Sequence, residues 1–303
     1  MTIYSGSYCL ASGYGRLSAS CAKALNAKLI SVRDGADMAV VGPCDPVVSP
    51  IRLTMWESTE LPLTHMAWKQ SKLLIVPSVQ SKNIFRQYSK IPIEICPLFA
   101  DVQYAHLPAS RPFKFICVAR DNGAYTRKGI DELISWFSAA FPTQSDVQLT
   151  IKQSPHCKRR YTYDKRINII YEDYDRAKYH DMLYAHHCGI FLSGAEGWNF
   201  PACELMAAGR PSILMPWGGH VDFTTTNTSW HIPYKTIAAP KAIYQAIGKV
   251  AYPSKVGTIQ AMQEAYSDQL LLAEKAIASA RASHEFTEAR FAQRLRDIVR
   301  KYA

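Results

Sequence analysis

Two carboxylates, Glu196 and Glu204, stand eight positions apart on either side of Pro201. The apolar run Gly189 to Leu192 ahead of them reads as a strand. Pro201 suits the first turn of a helix, and Gly209 with Pro211 marks where that helix stops. Glu196 then falls in the loop before the helix, and Glu204 projects from its first turns. A helix start exposes unpaired amide N–H groups and the positive end of the backbone dipole, which suit an anion such as a diphosphate. Of the two acids beside it, one can meet a sugar and the other a ribose. Taken alone, a Glu pair near a helix is usually solvated surface, and the Gly13-x-Gly15 loop after the first apolar run is usually a plain turn.

The spacing Glu-x7-Glu, followed by Leu205-Met206-Ala207-Ala208-Gly209-Arg210-Pro211, resembles the donor-site motif of family-4 retaining glycosyltransferases of the GT-B fold. The resemblance extends, in family order, to Gly13-Tyr14-Gly15-Arg16, Trp56-Glu57-Ser58-Thr59-Glu60-Leu61-Pro62, Ile75-Val76-Pro77-Ser78, Phe115 through Arg120, and Arg127-Lys128-Gly129-Ile130. It implies that Arg120 and Lys128 bind the diphosphate of a nucleotide sugar and offset charge on the departing phosphate, an arrangement that fixed cations in a dehydrated site favour. It implies that Glu204 accepts hydrogen bonds from ribose hydroxyls and that Glu196 holds hydroxyls of the transferred sugar. Gly197, Trp198, Asn199 and Phe200 would face phosphates and sugar, and Gly13 and Gly15 would admit the donor closely because they lack a Cβ. In such enzymes a donor phosphate oxygen takes the acceptor proton. Many relatives carry a His at the end of the strand that here reads Leu53-Thr54-Met55-Trp56-Glu57. This chain has none there, and Glu57 is the substitute candidate, with helix capping or pairing to an Arg as the alternative. The nearest histidine, His65, is expected on the following helix.

Other constellations carry less. His180, His186 and His187 crowd one expected helix, but no Cys or carboxylate completes a zinc set beside them, and no metal is expected. His220 stands on a loop expected to border the cleft, as a substrate contact or a turn. Cys157 through Arg166 interleaves basic and aromatic side chains, as a polyanion surface would. A solvated loop is the commoner outcome, and residues 1–110 hold ten basic against seven acidic groups, so no basic excess gathers there. A DNA acceptor, such as a modified base in viral DNA, is permitted but not favoured.

These residues need elements to hold them. The 303 residues carry a net charge of +10, with 48% apolar and 20% charged side chains, which excludes a disordered or fibrous chain. The stretch Met1 to Arg16 has no leader pattern and no long apolar span occurs, so a cytoplasmic protein is expected. The eight cysteines are scattered singly, several in apolar runs, and read as reduced core residues. Short apolar runs alternate with helix-period segments, the pattern of βαβ units around parallel sheets. The expectation is α/β: two Rossmann-like doubly wound domains facing a cleft, residues 1–110 on the acceptor side and 111–283 binding the nucleotide sugar. Helices are expected from about Tyr14, Leu63, Ser78, Arg127, Ala177 and Pro201, and the chain reads helical from Pro240 to its end. Residues 284–303 place Phe291, Leu295, Ile298, Val299 and Tyr302 on one stripe, a last helix expected to return to the first domain; peripheral membrane contact through its basic face is the alternative. The function implied is transfer of a hexose from a nucleotide sugar, UDP-glucose foremost, to a glycan or glycoconjugate, without a further cofactor. An inactive polyanion-binding protein of the same fold is the rival.

Overall fold

The computed structural model describes residues 1–7, 12–32, 35–62, 66–108, 110–119, 127–157, 164–240 and 247–302. The first half comprises β1 (Thr2–Ser5), α1 (Gly13–Leu25), β2 (Lys28–Ile30), β3 (Met38–Val40), β4 (Ile51–Leu53), β5 (Leu73–Val76), α2 (Val79–Arg86) and β6 (Ile93–Ile95). Its six strands are all parallel, in the order β2-β1-β3-β4-β5-β6. The second half comprises β7 (Phe113–Val118), α3 (Ile130–Ala140), β8 (Val147–Lys152), β9 (Ile167–Ile170), α4 (Arg176–Tyr184), β10 (Cys188–Phe191), α5 (Phe200–Ala207), β11 (Ser212–Leu214) and β12 (Ser229–His231). These strands form a second parallel sheet of six, in the order β12-β11-β10-β7-β8-β9. An antiparallel ribbon of β13 (Tyr234–Ala238) and β14 (Lys249–Pro253) follows, then α6 (Lys255–Ser267), α7 (Gln269–Ser283) and α8 (Glu288–Tyr302).

The strands form where the sequence offers runs that can be buried on both faces. Leu73 to Val76 and Cys188 to Phe191 are buried at every position, as a central parallel strand covered by helices requires. In each sheet the strand order reverses at one place, between β1 and β3 and between β7 and β10. Doubly wound sheets open a crevice at such a switch point, outside the carboxyl ends of the strands. The expected α/β architecture of two doubly wound halves is therefore the one observed.

One apolar core joins the halves. Leu17 of α1, Met38 and Leu53 of the first sheet, Phe200 and Leu205 of α5, and Phe291 and Leu295 of α8 belong to one cluster. Phe99, in the connection between the sheets, stands 5.7 Å from Phe200 and 4.9 Å from Phe291, ring centre to ring centre. The stripe on α8 lies against α1, where Glu288 accepts from Ser20 at 2.9 Å and Arg296 donates to the Ala24 carbonyl at 3.3 Å. Its far end reaches β6, where Lys301 and Tyr302 both hold Glu94, at 2.6 and 2.8 Å.

Four local expectations are corrected. The chain is not helical throughout from Pro240 onward: β14 (Lys249–Pro253) pairs with β13, and Gly248 just ahead of it sits at φ +89°. Residues 63–65, His65 among them, lie outside the described residues, and among the described residues from Met66 to β5 there is a short 3-10 turn, Ala67–Gln70, in place of an α-helix. The helix expected from Arg127 begins at Ile130, because Gly129 takes a left-handed conformation, φ +65°, and ends the loop there. Finally, α4 stops at Tyr184, so His186 and His187 lie beyond the helix that holds His180. The seven described cysteines are free thiols; Cys9 lies outside the described residues. No helix among them is long and apolar enough to cross a membrane.

Candidate active site

A cavity of about 700 Å³ lies between the carboxyl ends of the two sheets, within the range of small-molecule sites. Gly6, Ser7 and Gly13 line it after β1, Gly42 and Asp45 after β3, and Met55 and Glu57 after β4. From the second half come Arg127 and Lys128 ahead of α3, Lys152 at the end of β8 with Gln153 and Ser154 after it, Asp173 to Arg176 after β9, and Glu196 to Pro201 after β10. Both switch points thus open into one space.

Lys128 reaches the cavity because of the glycine that follows it. A Cβ on Gly129 would lie 2.7 Å from the Leu192 Cβ and 2.9 Å from its carbonyl oxygen, so only glycine lets this loop lie against the end of β10. The Lys128 ammonium pairs with one oxygen of Glu196. Arg127 Nη1 touches three groups: Glu57 Oε2 at 3.0 Å, Glu196 Oε2 at 3.7 Å and the Ala195 carbonyl. Burial would raise the Glu196 carboxyl, but Lys128 and Arg127 more than offset it and hold the group at about 2. Glu57 moves the other way. Burial raises it, the negative Glu196 adds to that, and Arg127 and Lys128 only partly compensate. Two neighbouring acids with pKa values pushed apart by their surroundings are what acid–base and charge-stabilising chemistry requires.

The Glu196 loop is held from behind. Ala251 of β14 donates its amide to the Gly194 carbonyl at 2.9 Å, and a Cβ on Gly194 would stand 2.2 Å from the Ala251 oxygen. A Cβ on Gly197 would likewise meet Met55 Cγ at 2.7 Å, so the two halves touch here. Asn199, in a left-handed conformation at φ +84°, caps α5 by accepting from the Ala202 amide at 3.3 Å. Its side-chain nitrogen lies 2.9 Å from His220 Nε2, and His220 Nδ1 lies 3.1 Å from the Met215 carbonyl. The amide N–H thus donates to an imidazole whose other nitrogen carries the proton. His220 is fully buried, and burial lowers its pKa. It orients Asn199 from behind and does not border the cleft.

Glu204 also differs from expectation. It is fully buried, with its oxygens taken by Arg16 at 2.6 Å, Arg176 at 2.9 Å and the Tyr179 hydroxyl at 2.8 Å. Asp101 accepts from both arginines. The groups that line the cavity at this end are Arg16, Arg176 and Tyr179 rather than Glu204 itself. Nearby, the buried Lys152 donates to the carbonyls of Glu172 and Gln153 and lies 5.1 Å from the Tyr174 ring centre.

Of the candidates named from sequence, Glu196, Lys128, Glu57, Gly13, Gly197, Trp198, Asn199 and Phe200 come together around the cavity. Gly15 is buried in the first turn of α1, its amide donating to the capping Ser12. Arg120 lies outside the described residues, as do residues 158–163 of the basic and aromatic segment. Sequence reasoning missed Arg16, Arg127, Lys152, Arg176 and Tyr179. Arg16 and Arg127 carried a signal that could have been used, since each stands in a motif that the resemblance covers, beside Gly15 and Lys128.

By sequence, the chain matches no protein-family model and no curated protein. By structure it is similar to WaaG, a glycosyltransferase involved in lipopolysaccharide biosynthesis, with TM-score 0.68 and 12% identity over 98% of this chain and 99% of that one. HepE from Anabaena, solved with UDP and glucose, matches with TM-score 0.64 and 13% identity over 96% of this chain and 84% of that one. Sucrose-phosphate synthase from Thermosynechococcus elongatus matches with TM-score 0.61 and 17% identity over 77% of this chain, which spans only 59% of the synthase. At such identities the likeness establishes the fold: this chain has the two-domain GT-B architecture that its motifs resembled.

Proposed function

We propose that this protein is a nucleotide-sugar-dependent glycosyltransferase that moves a hexose, with UDP-glucose as the favoured donor, to a glycan or glycoconjugate with retention at the anomeric carbon. The observation that carries the reading is the convergence of Lys128, Glu196 and the Asn199-capped entrance of α5 in one cavity between two switch points. Neighbours of the same fold support it, among them HepE with UDP and glucose and a pneumococcal O-GlcNAc transferase, GtfA, with UDP and GlcNAc.

On this reading the diphosphate lies over the start of α5, with Lys128 beside it; Arg120, the second cation the motif assigns to it, lies outside the described residues. Negative charge grows on the leaving phosphate as its bond to the anomeric carbon breaks. A fixed ammonium in a dehydrated site stabilises that charge more than water would, because its orientation is already set. Glu196, kept anionic by its two cations, accepts hydrogen bonds from sugar hydroxyls. The acceptor oxygen bonds to the anomeric carbon on the face that the phosphate leaves, and its proton passes to the departing phosphate oxygen. Arg16, Arg176 and Tyr179, pinned by Glu204, form the wall that meets the nucleoside, so the ribose contact expected of Glu204 passes to the groups it holds.

The test is turnover of UDP-glucose, followed by NMR of the sugar's anomeric configuration, in wild type and Glu196→Ala. The proposal expects product of retained configuration and a loss of about 10²-fold or more in the variant, the scale for removing one transition-state contact. An inverted product would overturn the mechanism, and no turnover of any nucleotide sugar would overturn the activity.

A further inference from the structure

Glu57 belongs to the first half and Glu196 to the second, yet one guanidinium nitrogen of Arg127 touches both. The same nitrogen donates to the Ala195 carbonyl, which fixes Arg127 on the second half's side of the cleft. The Glu57 loop is fastened across the cleft on its other flank as well. Thr59 donates its amide to the Lys249 carbonyl at 3.1 Å, its hydroxyl accepts from the Lys249 amide at 2.8 Å, and Ser58 donates to the Ile247 carbonyl at 3.0 Å. Met55, two residues before Glu57, lies directly against Gly197. A loop from the first sheet is thus docked onto the loop that carries Glu196, with Arg127 at the joint. The Glu57 side chain keeps 23% of its surface exposed, toward the cavity it lines.

We propose that Arg127 is a positioning residue that holds the Glu57 carboxylate beside Glu196, so that Glu57 accepts a hydrogen bond from the acceptor hydroxyl and aims it at the anomeric carbon. This rests on the glycosyltransferase reading and assigns a role within it. No covalent step falls to Glu57: the acceptor proton ends on the departing phosphate oxygen. Among the described residues, the charged groups facing Glu57 are Arg127 and Lys128 from the loop ahead of α3, and Glu196 from the loop after β10. Removing Arg127 leaves Glu57 beside Glu196 with, among the described residues, Lys128 as the remaining cation. It would then protonate at higher pH, and a protonated carboxyl no longer accepts in the required direction.

The experiment compares the pH dependence of kcat/KM for UDP-glucose turnover in wild type, Arg127→Gln, Arg127→Lys and Glu57→Gln. UDP affinity is measured by calorimetry, and folding is checked by thermal melting. The acidic limb should move up by about one pH unit in Arg127→Gln, the scale of one neighbouring charge. It should return most of the way in Arg127→Lys and vanish in Glu57→Gln, with UDP affinity within about threefold of wild type throughout. If Arg127→Gln does not fold, Glu57→Gln breaks the same bridge from the other side, and retention of the limb in that variant overturns the proposal. An unmoved limb in a folded Arg127→Gln, or loss of UDP binding in it, also overturns the role of Arg127. A wild type that binds no nucleotide sugar refutes the transferase reading itself.

Discussion

Replacing Glu204 with Gln tests whether the wall at the nucleoside end is built as described. The substitution keeps the size of the side chain, so it opens no cavity and changes charge and hydrogen bonding alone. Glu204 is 0% exposed, and the Arg16 side chain that reaches it from α1 is 13% exposed. Breaking a buried pair by removing one partner typically costs about 3–5 kcal/mol, because the remaining charge is left uncompensated. Two features reduce that here. Asp101 still holds both arginines, and Arg176 is 35% exposed, so water screens it. The loss should therefore be about 2–3 kcal/mol, or roughly 5–10 °C in Tm at the 2–4 °C per kcal/mol of a chain this large. Urea and thermal unfolding followed by circular dichroism would measure it. A double-mutant cycle with Arg16→Met should return a coupling energy above about 1 kcal/mol, as for residues in direct contact. A Glu204→Gln protein within 1 °C of wild type would refute the reasoning, and so would a coupling energy near zero.

Acidification from pH 7 should destabilise the fold before its carboxylates protonate. Burial lowers His186 and His187 to about 4, so between about 6.5 and 4 the unfolded chain takes up protons that the folded one refuses, and stability falls as pH falls. Urea midpoints at pH 7 and 5 should differ in that direction, and His186→Gln should reduce the difference; equal midpoints would contradict it. Gly129→Ala forces a Cβ into Leu192 at a left-handed backbone position and should cost about 2 kcal/mol or more; an unchanged urea midpoint would show that the loop ahead of α3 is not held as described. Gly197→Ala should lower turnover by crowding Met55, and Met55→Ala in the same chain should recover part of it. A double variant no better than the single one would argue against contact between the two loops.

Much of this was legible because the governing interactions are local. Leu73 to Val76 and Gly189 to Leu192 read as strands from their apolar runs, and the start of α5 reads from Pro201 in its first turn; the Asn199 cap just before it became visible only in the fold. Lys128 and Glu196 were placed together by motif resemblance, and they meet. The ribbon of β13 and β14 was missed because Tyr234 to Thr236 are all exposed, so no apolar alternation marks them as a strand. Its consequence for the site, the Ala251 amide on the Gly194 carbonyl, depends on pairing that local pattern does not encode. The direction in which Glu204 faces was unreadable for a similar reason. Its partners Arg16 of α1 and Arg176 and Tyr179 of α4 come from two segments far apart in the chain, and only the fold brings them to one carboxylate.

Calorimetric titration of UDP-glucose into wild type and Lys128→Ala puts the central claim to the most direct test. The account predicts saturable binding by wild type and a loss of about 10- to 100-fold in the variant, corresponding to one charge-assisted contact of roughly 1.5–3 kcal/mol. Equal affinity in the two proteins, or no heat with UDP-, GDP- or ADP-sugars at any concentration reached, would contradict it.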